Sequence, residues 1–170
     1  KHLKKDGYFE ALRYARKHHF DAAILGWWDG PNYGSKLVYY GLYKKLEQLG
    51  YSLTMIWPPH IPNFEFSDFA KKHYRISQYR SVDELVDLNQ YVDSFIVGSD
   101  QYWNYRLDNY KHFRMLDFVG DTNRKISYAT SFGHDKLFFP QHKLEEARYF
   151  LQRFDHVSVR ETSAVQIAKD

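Results

Sequence analysis

Short apolar segments alternate with longer amphipathic stretches along this chain. The short segments are rich in aliphatic, aromatic and β-branched residues and lie at Ala22–Trp28, Tyr51–Trp57, Ser94–Val97, Lys125–Ser131 and His156–Val159. Such runs are typical of strands in a parallel sheet, which is covered on both faces. We therefore predict five strands, and we expect the first, third, fourth and fifth to be parallel neighbours, each buried on both faces.

The stretches between the strands carry helix signals. Helical spacing of apolar residues predicts helices at Tyr8–His19, Leu37–Gln48 and His142–Phe154, and a last helix from Thr162 or Ser163. We expect the second helix to face the core with its aliphatic residues, which are Leu37, Val38, Leu42, Leu46 and Leu49.

Weaker signals predict three further segments. Ser81 and Glu84 have the spacing of a capping box, which predicts a helix through Asn89. We expect a short helix at Ser67–His73 and a strand-like segment at Phe113–Val119.

Strands that alternate with helices predict an α/β fold, a Rossmann-like parallel sheet with helices on both faces. We expect residues 1–20 to form a helical lead-in segment and residues 21–170 to form the domain. The sequence opens at Lys1 and stops at Asp170 inside a predicted helix, so we expect it to be a segment of a longer polypeptide.

Composition narrows the possible functions. The chain has 15 Tyr, 13 Phe and 4 Trp, and such side chains either fill a core or line a carbohydrate cleft. The 24 basic and 21 acidic residues are mixed, so we expect no nucleic-acid partner. There is no apolar run near the length of a membrane span, so we expect no transmembrane segment.

The absence of Cys excludes disulfides and thiolate chemistry, and it is compatible with the cytoplasmic location that we expect. The nine His residues lack metal-ligand spacing, and we expect neither a metal nor a cofactor. The nucleotide-binding fingerprints and the nucleophile elbow of hydrolases are not found in the sequence.

Candidate site residues follow the predicted strands, because ligands collect beyond the carboxyl ends of parallel strands. They are Asp29, Asn32, Gly34 and Ser35 after the first strand, Ser99, Asp100, Gln101, Trp103 and Asn104 after the third, and Arg160 and Ser163 after the fifth. We expect Asn32, Asp100, Gln101 and Arg160 to converge on one edge of the sheet.

Each group also has a structural interpretation. The first offers helix N–H groups to an anion or a sugar hydroxyl, or it is a tight turn with Ser35 as the helix cap. The second suits sugar binding, with rings over C–H faces, or else Ser99 or Asp100 caps a helix and Trp103 packs beneath it. Arg160 suits a bidentate contact with a carboxylate or phosphate, or a salt bridge with Glu161 or an aspartate.

Several segments, taken in order, resemble those of polysaccharide pyruvyl transferases. They are Ile24–Trp28, Asn32–Ser35, Phe95–Asn104, Ser127–Gly133 and Val157–Ser163. The resemblance implies that the chain is the first domain of an enzyme whose fold resembles the two-domain GT-B glycosyltransferases. It also implies transfer of a pyruvyl unit from phosphoenolpyruvate to sugar hydroxyls as a cyclic ketal.

The resemblance implies roles for particular residues. Arg160 matches an arginine thought to hold the anionic donor, and Asn32 and Gly34 match the loop after the first strand. Ser35 departs from a common pattern that has an acid at this position, so that role is lost or moved, for example to Asp29 or Asp100.

We therefore expect a pyruvyl transferase-like enzyme of surface polysaccharide biosynthesis, with Asp100 and Arg160 as its catalytic residues. Its expected partners are phosphoenolpyruvate, a sugar or polysaccharide-precursor acceptor, and its own C-terminal domain. The alternatives are a GT-B-like glycosyltransferase that uses a nucleotide sugar, and a non-catalytic sugar-binding or scaffolding module.

Overall fold

The computed structural model describes residues 19–57, 65–79, 81–107, 112–136 and 138–169. Its strands are β1 (Phe20–Leu25), β2 (Leu53–Trp57), β3 (Ile76–Gln78), β4 (Val92–Val97), β5 (Arg124–Thr130) and β6 (His156–Val159). Its helices are α1 (Tyr33–Gln48), α2 (Asp68–His73), α3 (Val82–Val86), α4 (Gln141–Gln152) and α5 (Thr162–Lys169), with short 3₁₀ helices at Asp87–Gln90 and His112–Met115.

The six described strands form one sheet in the order β3-β2-β1-β4-β5-β6. Every pair of neighbours is parallel. The predicted Rossmann-like α/β fold is therefore confirmed, as is the parallel order of β1, β4, β5 and β6. Because all strands run the same way, their carboxyl ends lie at one edge of the sheet.

Helices cover both faces of the sheet, as predicted. On one face α1 and α2 pack through Tyr39, Tyr43 and Ala70 against alternate residues of β1 and β2. On the other face α3, α4 and α5 pack against the opposite sides of β1 and β4. The aromatic residues contribute heavily to both cores, and Trp28 and Trp103 are fully buried.

The prediction of the buried side of α1 was right for only two of its five aliphatic residues, Leu42 and Leu46, which are partly buried and pack against the core. Leu37, Val38 and Leu49 are 66%, 46% and 61% exposed, whereas Tyr39 and Tyr43 are buried. The prediction counted only aliphatic residues as core-facing. The tyrosines bury larger rings, and the Tyr39 hydroxyl finds a buried partner by donating to the backbone oxygen of Ser99 at 3.0 Å.

Three other predictions differ from the structure. Two strands are not buried on both faces as expected: β6 is largely exposed because it lies at the edge of the described sheet, and β5 alternates, with Tyr128 exposed. Phe113–Val119 is not a strand, since it begins in a 3₁₀ helix and Leu116 has a φ of 56°. Strand β3 was not predicted, because three residues are too short to show a pattern.

Several local predictions hold. Ser81 caps α3 by accepting a hydrogen bond from the backbone N–H of Glu84 at 3.2 Å, although the helix continues to Gln90 as a 3₁₀ turn. The short helix near Ser67 is α2. The predicted helix Tyr8–His19 lies outside the described residues except for His19. No helix in the described part of the chain has the length and apolarity needed to cross a membrane.

Candidate functional site

Side chains from four strand ends form one continuous network at the carboxyl edge of the sheet. Ser35 Oγ donates to Asp100 Oδ2 at 2.9 Å, and Arg160 Nη1 donates to Asp100 Oδ1 at 3.1 Å. Arg160 Nε also donates to Glu161 Oε1 at 2.9 Å, and Ser131 Oγ donates to the same oxygen at 2.6 Å. We call these five residues the strand-end cluster.

The start of α1 positions Ser35. Asn32 is the N-cap of this helix, and its side-chain oxygen accepts hydrogen bonds from the backbone N–H groups of Gly34 at 2.9 Å and Ser35 at 3.3 Å. Ser35 is therefore not the cap. Its hydroxyl lies inside the first turn, where it is 6% exposed and donates to Asp100.

The loop after β4 holds Asp100 in an unusual backbone conformation. Asp100 has a φ of 67°, in the left-handed region that non-glycine residues rarely adopt. Its backbone oxygen accepts from the N–H groups of Tyr102 and Ser131, both at 2.8 Å. Such strain persists only where the surroundings enforce it, and it is common at functional sites.

A bulge in β5 brings the ends of β4 and β5 close together. The register between β5 and β6 shifts between Ser127 and Thr130, and Ala129 within this interval has a φ of 49°. Gly98, at the end of β4, lies against this bulge with a φ of 133°, and a Cβ there would meet the Tyr128 oxygen at 2.1 Å. Only glycine fits this contact, which sets the start of the Asp100 loop.

The cluster keeps Asp100 ionised. Partial burial by itself raises the pKa of Asp100, but hydrogen bonds from Ser35, the backbone of Gln101 and Arg160, together with the charge of Arg160, outweigh burial. The pKa is therefore lowered from its ordinary value of 3.8. At neutral pH Asp100 therefore carries its negative charge beside the Arg160 guanidinium, and the Arg160 side chain is 44% exposed.

Asp29 lies outside this cluster and is held by its own hydrogen bonds and ion pair. Its carboxylate accepts from the backbone N–H and the hydroxyl of Ser67 at 2.8 and 2.7 Å, and Lys36 Nζ lies 3.4 Å from it. The Asp29 side chain is 1% exposed. These contacts anchor the turn after β1 to the start of α2, and they leave Asp100 as the carboxylate that meets Ser35.

Trp103 packs in the core, as the structural interpretation of its loop also allowed. It is fully buried, its indole N–H donates to the Arg114 backbone oxygen at 3.0 Å, and its ring contacts those of Phe132 and Phe154. Its ring face is therefore covered by protein. Ser99 is also buried, and neither it nor Asp100 caps a helix in the structure.

Gln101 and Asn104 form hydrogen bonds within the loop that follows β4. Asn104 Nδ2 donates to Gln101 Oε1 at 2.9 Å, and Asn104 Oδ1 accepts from the Arg106 N–H at 3.0 Å. Gly133 lies against both amides with a φ of 77°, and a Cβ there would come within 2.4 Å of Asn104 Nδ2. Ser163 lies in the first turn of α5, three residues after Arg160 in the sequence.

The expected convergence at one sheet edge is found for Asp100 and Arg160, which touch. Asn32 contributes indirectly, by capping the helix that carries Ser35, and Gln101 contributes through its loop. The sequence prediction did not name Ser131 as a site residue. The sequence prediction placed Ser131 inside the strand Lys125–Ser131, whereas β5 ends at Thr130, so the strand-end rule selects Ser131 only once the end of the strand is known from the structure.

The arrangement is suited to polar, hydroxyl-bearing and anionic ligands. A guanidinium binds a carboxylate or phosphate through paired N–H groups, and an ionised carboxylate accepts hydrogen bonds from hydroxyls. Within the described ranges, no three His, Asp or Glu side chains are grouped as a metal site requires.

A family model described as polysaccharide pyruvyl transferase matches residues 32–170 of the chain. This range contains the whole strand-end cluster and every strand except β1. No curated protein and no solved structure matches the chain.

Proposed function

The chain belongs to the polysaccharide pyruvyl transferase family, and we propose that it moves a pyruvyl group from phosphoenolpyruvate onto two hydroxyls of a sugar as a cyclic ketal. The observation that best supports a site on this chain is the strand-end cluster at the carboxyl edge of the sheet, where Arg160 stays 44% exposed although it forms the salt bridges of its structural interpretation, with Asp100 and Glu161. The acceptor is a sugar of a surface polysaccharide or its precursor. Because phosphoenolpyruvate is a cytoplasmic metabolite, the proposal places the reaction in the cytoplasm.

The proposed reaction converts phosphoenolpyruvate and two sugar hydroxyls into a cyclic ketal and phosphate. The methylene carbon of phosphoenolpyruvate takes a proton and becomes a methyl group, which leaves an oxocarbenium-like centre at the neighbouring carbon. One sugar hydroxyl adds to this carbon and loses its proton. Phosphate then leaves with the electrons of its C–O bond, and a second hydroxyl adds at the same carbon and loses its proton.

Arg160 is proposed to hold the anionic donor. A guanidinium has five N–H donors. Some of them bind Asp100 and Glu161, and the exposed part of the Arg160 guanidinium has further N–H donors for a carboxylate or phosphate. The cluster contains two carboxyl groups, those of Asp100 and Glu161, but only one guanidinium, that of Arg160. A multiply charged donor therefore needs further cations, which we propose a second, C-terminal domain supplies across a cleft of the GT-B kind.

Asp100 and Ser35 are proposed to bind the acceptor. With its pKa lowered, Asp100 is a weak base at neutral pH and a good acceptor of hydrogen bonds from sugar hydroxyls. Its catalytic contribution is then to orient a hydroxyl and Arg160 rather than to donate a proton. These groups are supported by neighbouring residues in the segments after β1 and β4, which are Asn32, Gly34, Ser99 and Gln101.

A non-catalytic sugar-binding module is the second candidate. The observation that favours it is that two carboxylates already engage Arg160. Such an arrangement offers oxygen atoms that accept hydrogen bonds from sugar hydroxyls, and its cation is already paired. Phosphate release separates the two functions. The full-length protein, given phosphoenolpyruvate and a panel of sugar acceptors, releases inorganic phosphate only if it is a transferase, whereas a binding module retains sugar in equilibrium dialysis and releases none.

A further inference from the structure

Ser131 connects the two carboxylates that hold Arg160. Its backbone N–H donates to the Asp100 oxygen at 2.8 Å, and its own backbone oxygen accepts from the Trp103 N–H at 3.1 Å. Its hydroxyl donates to Glu161 Oε1 at 2.6 Å and accepts from the Gly133 N–H at 2.9 Å. One residue at the end of β5 therefore touches the loops on either side of it.

We propose that Ser131 is a positioning residue that, through Glu161, fixes the direction in which Arg160 presents its guanidinium. That the anion bound by Arg160 is phosphoenolpyruvate rests on the proposed function, whereas the positioning role of Ser131 does not. Glu161 Oε1 accepts from both Ser131 Oγ and Arg160 Nε, so the serine hydroxyl and the guanidinium share one carboxylate oxygen. The Asp100 contact alone holds Arg160 through one nitrogen, which leaves the guanidinium plane free to rotate about that bond.

Burial makes the hydroxyl hard to replace. Ser131 is 0% exposed, so solvent has no ready path to the position of a deleted hydroxyl. Glu161, by contrast, has a side chain that is 36% exposed, and without the Ser131 hydroxyl its Oε1 is held only by Nε and Nη2 of Arg160, so the two side chains can move together. A Ser131→Ala substitution therefore removes the Glu161 contact but keeps both backbone hydrogen bonds of Ser131, including the one to Asp100.

A matched control lies on the same strand. Ser127 is 1% exposed, and its hydroxyl donates to the Ser158 backbone oxygen of β6 at 3.0 Å, away from the strand-end cluster. Ser127→Ala therefore deletes an equally buried hydroxyl between β5 and β6 without touching Arg160. Any loss of stability common to both variants is a structural effect.

The first readout is the Arg160 side chain itself, measured without any substrate. In the full-length protein, the Nε–H resonance of Arg160 should exchange with water roughly threefold to tenfold faster in Ser131→Ala, since one hydrogen bond of ordinary strength protects it. Ser127→Ala should leave that rate unchanged, and Ser131→Thr, which keeps a hydroxyl, should restore much of the protection. An unchanged Arg160 exchange rate in a folded Ser131→Ala protein overturns the proposal.

The second readout is kinetic. Ser131→Ala should raise KM for phosphoenolpyruvate by about threefold to tenfold, with a smaller effect on kcat. On an Arg160→Ala background the same substitution should add no further change, because Ser131 acts through Arg160. Additive effects in this double-mutant cycle contradict the positioning role. If the parent protein releases no phosphate, the proposed function fails, and the exchange measurement still decides the role of Ser131.

Discussion

Arg160 Nη1 lies 3.1 Å from Asp100 Oδ1, although 60 residues separate the two along the chain. The two residues follow strands that are not neighbours, since β5 lies between β4 and β6. Both meet at Thr130, where Asp100 forms a parallel bridge and the Arg160 N–H donates to the Thr130 oxygen at 3.1 Å. The ion pair therefore spans the end of β5 and joins three strand ends into one site.

The lowered pKa of Asp100 predicts a dependence of stability on pH. Because the native pKa lies below 3.8, the ionised form contributes stability in full above the ordinary value, and this contribution is lost as the pH falls through the native value. Ser35→Ala removes one hydrogen bond to the carboxylate and should raise the pKa of Asp100. A carbon-detected titration of Asp100 in the parent and variant proteins measures this. A lower pKa in Ser35→Ala would contradict the account.

Ser35→Asp should raise a carboxyl pKa further than Ser35→Ala does, because it replaces a hydrogen-bond donor with a second acid. The new carboxyl group would lie close to Asp100, and two adjacent carboxylates cannot both ionise easily. One of the two should then titrate well above the ordinary range, as a pair that shares a proton. A titration that shows two ordinary carboxyl groups would show that positions 35 and 100 are not in contact.

Two glycines provide a matched test of the packing between α1 and the Asp100 loop. A Cβ on Gly26 would come within 1.8 Å of the Tyr39 hydroxyl, which holds the Ser99 oxygen, whereas a Cβ on Gly41 meets nothing within 4 Å. Gly26→Ala should lower the free energy of unfolding by about 1–3 kcal/mol or more. Gly41→Ala should raise it by about 0.5–1 kcal/mol, because alanine favours a helix. Urea unfolding measures both, and equal effects would refute the contact.

Much of the fold could be predicted from the sequence, because buried parallel strands have a simple signature. The segments of β1, β2 and β4 are short apolar runs that end in turn residues, and the alternation with helices indicates the topology. Residues such as Tyr39 could not be placed by counting aliphatic positions, since a tyrosine is buried when its hydroxyl finds a partner. That partner, the Ser99 oxygen, lies 60 residues away.

The candidate site was predictable in its location but not in its contacts. The strand-end rule identified Asp100 and Arg160, and the family match confirms the resemblance that the sequence segments showed. Nothing in the sequence separates Asp29 from Asp100 as the carboxylate near Ser35, because both follow strands. The structure separates them through the left-handed backbone of Asp100 and the hydrogen bonds of Asp29 to Ser67, which depend on chain segments far apart in sequence.

The structural role of Asp29 is testable. Asp29→Asn keeps the size of the side chain but replaces one acceptor oxygen with a donor facing the Ser67 hydroxyl and N–H groups. It should lower the free energy of unfolding by about 1–3 kcal/mol, the cost of leaving buried polar groups unpaired. The exposed Asp93, which pairs with His19 at the surface, is the control, and Asp93→Asn should change stability by less than about 1 kcal/mol. Equal effects would show that Asp29 does not anchor the turn.

Phosphate release from phosphoenolpyruvate by the full-length protein and its Arg160 variants tests the central claim most directly. The parent should release phosphate only when a suitable sugar acceptor is present. Arg160→Ala should lose at least about tenfold in kcat/KM for phosphoenolpyruvate, because a charge-assisted hydrogen bond contributes about 1.5–3 kcal/mol. Arg160→Lys should recover only part of this, since lysine lacks the planar fork. A parent that releases no phosphate with any acceptor, or an Arg160→Ala protein as active as the parent, would contradict the account.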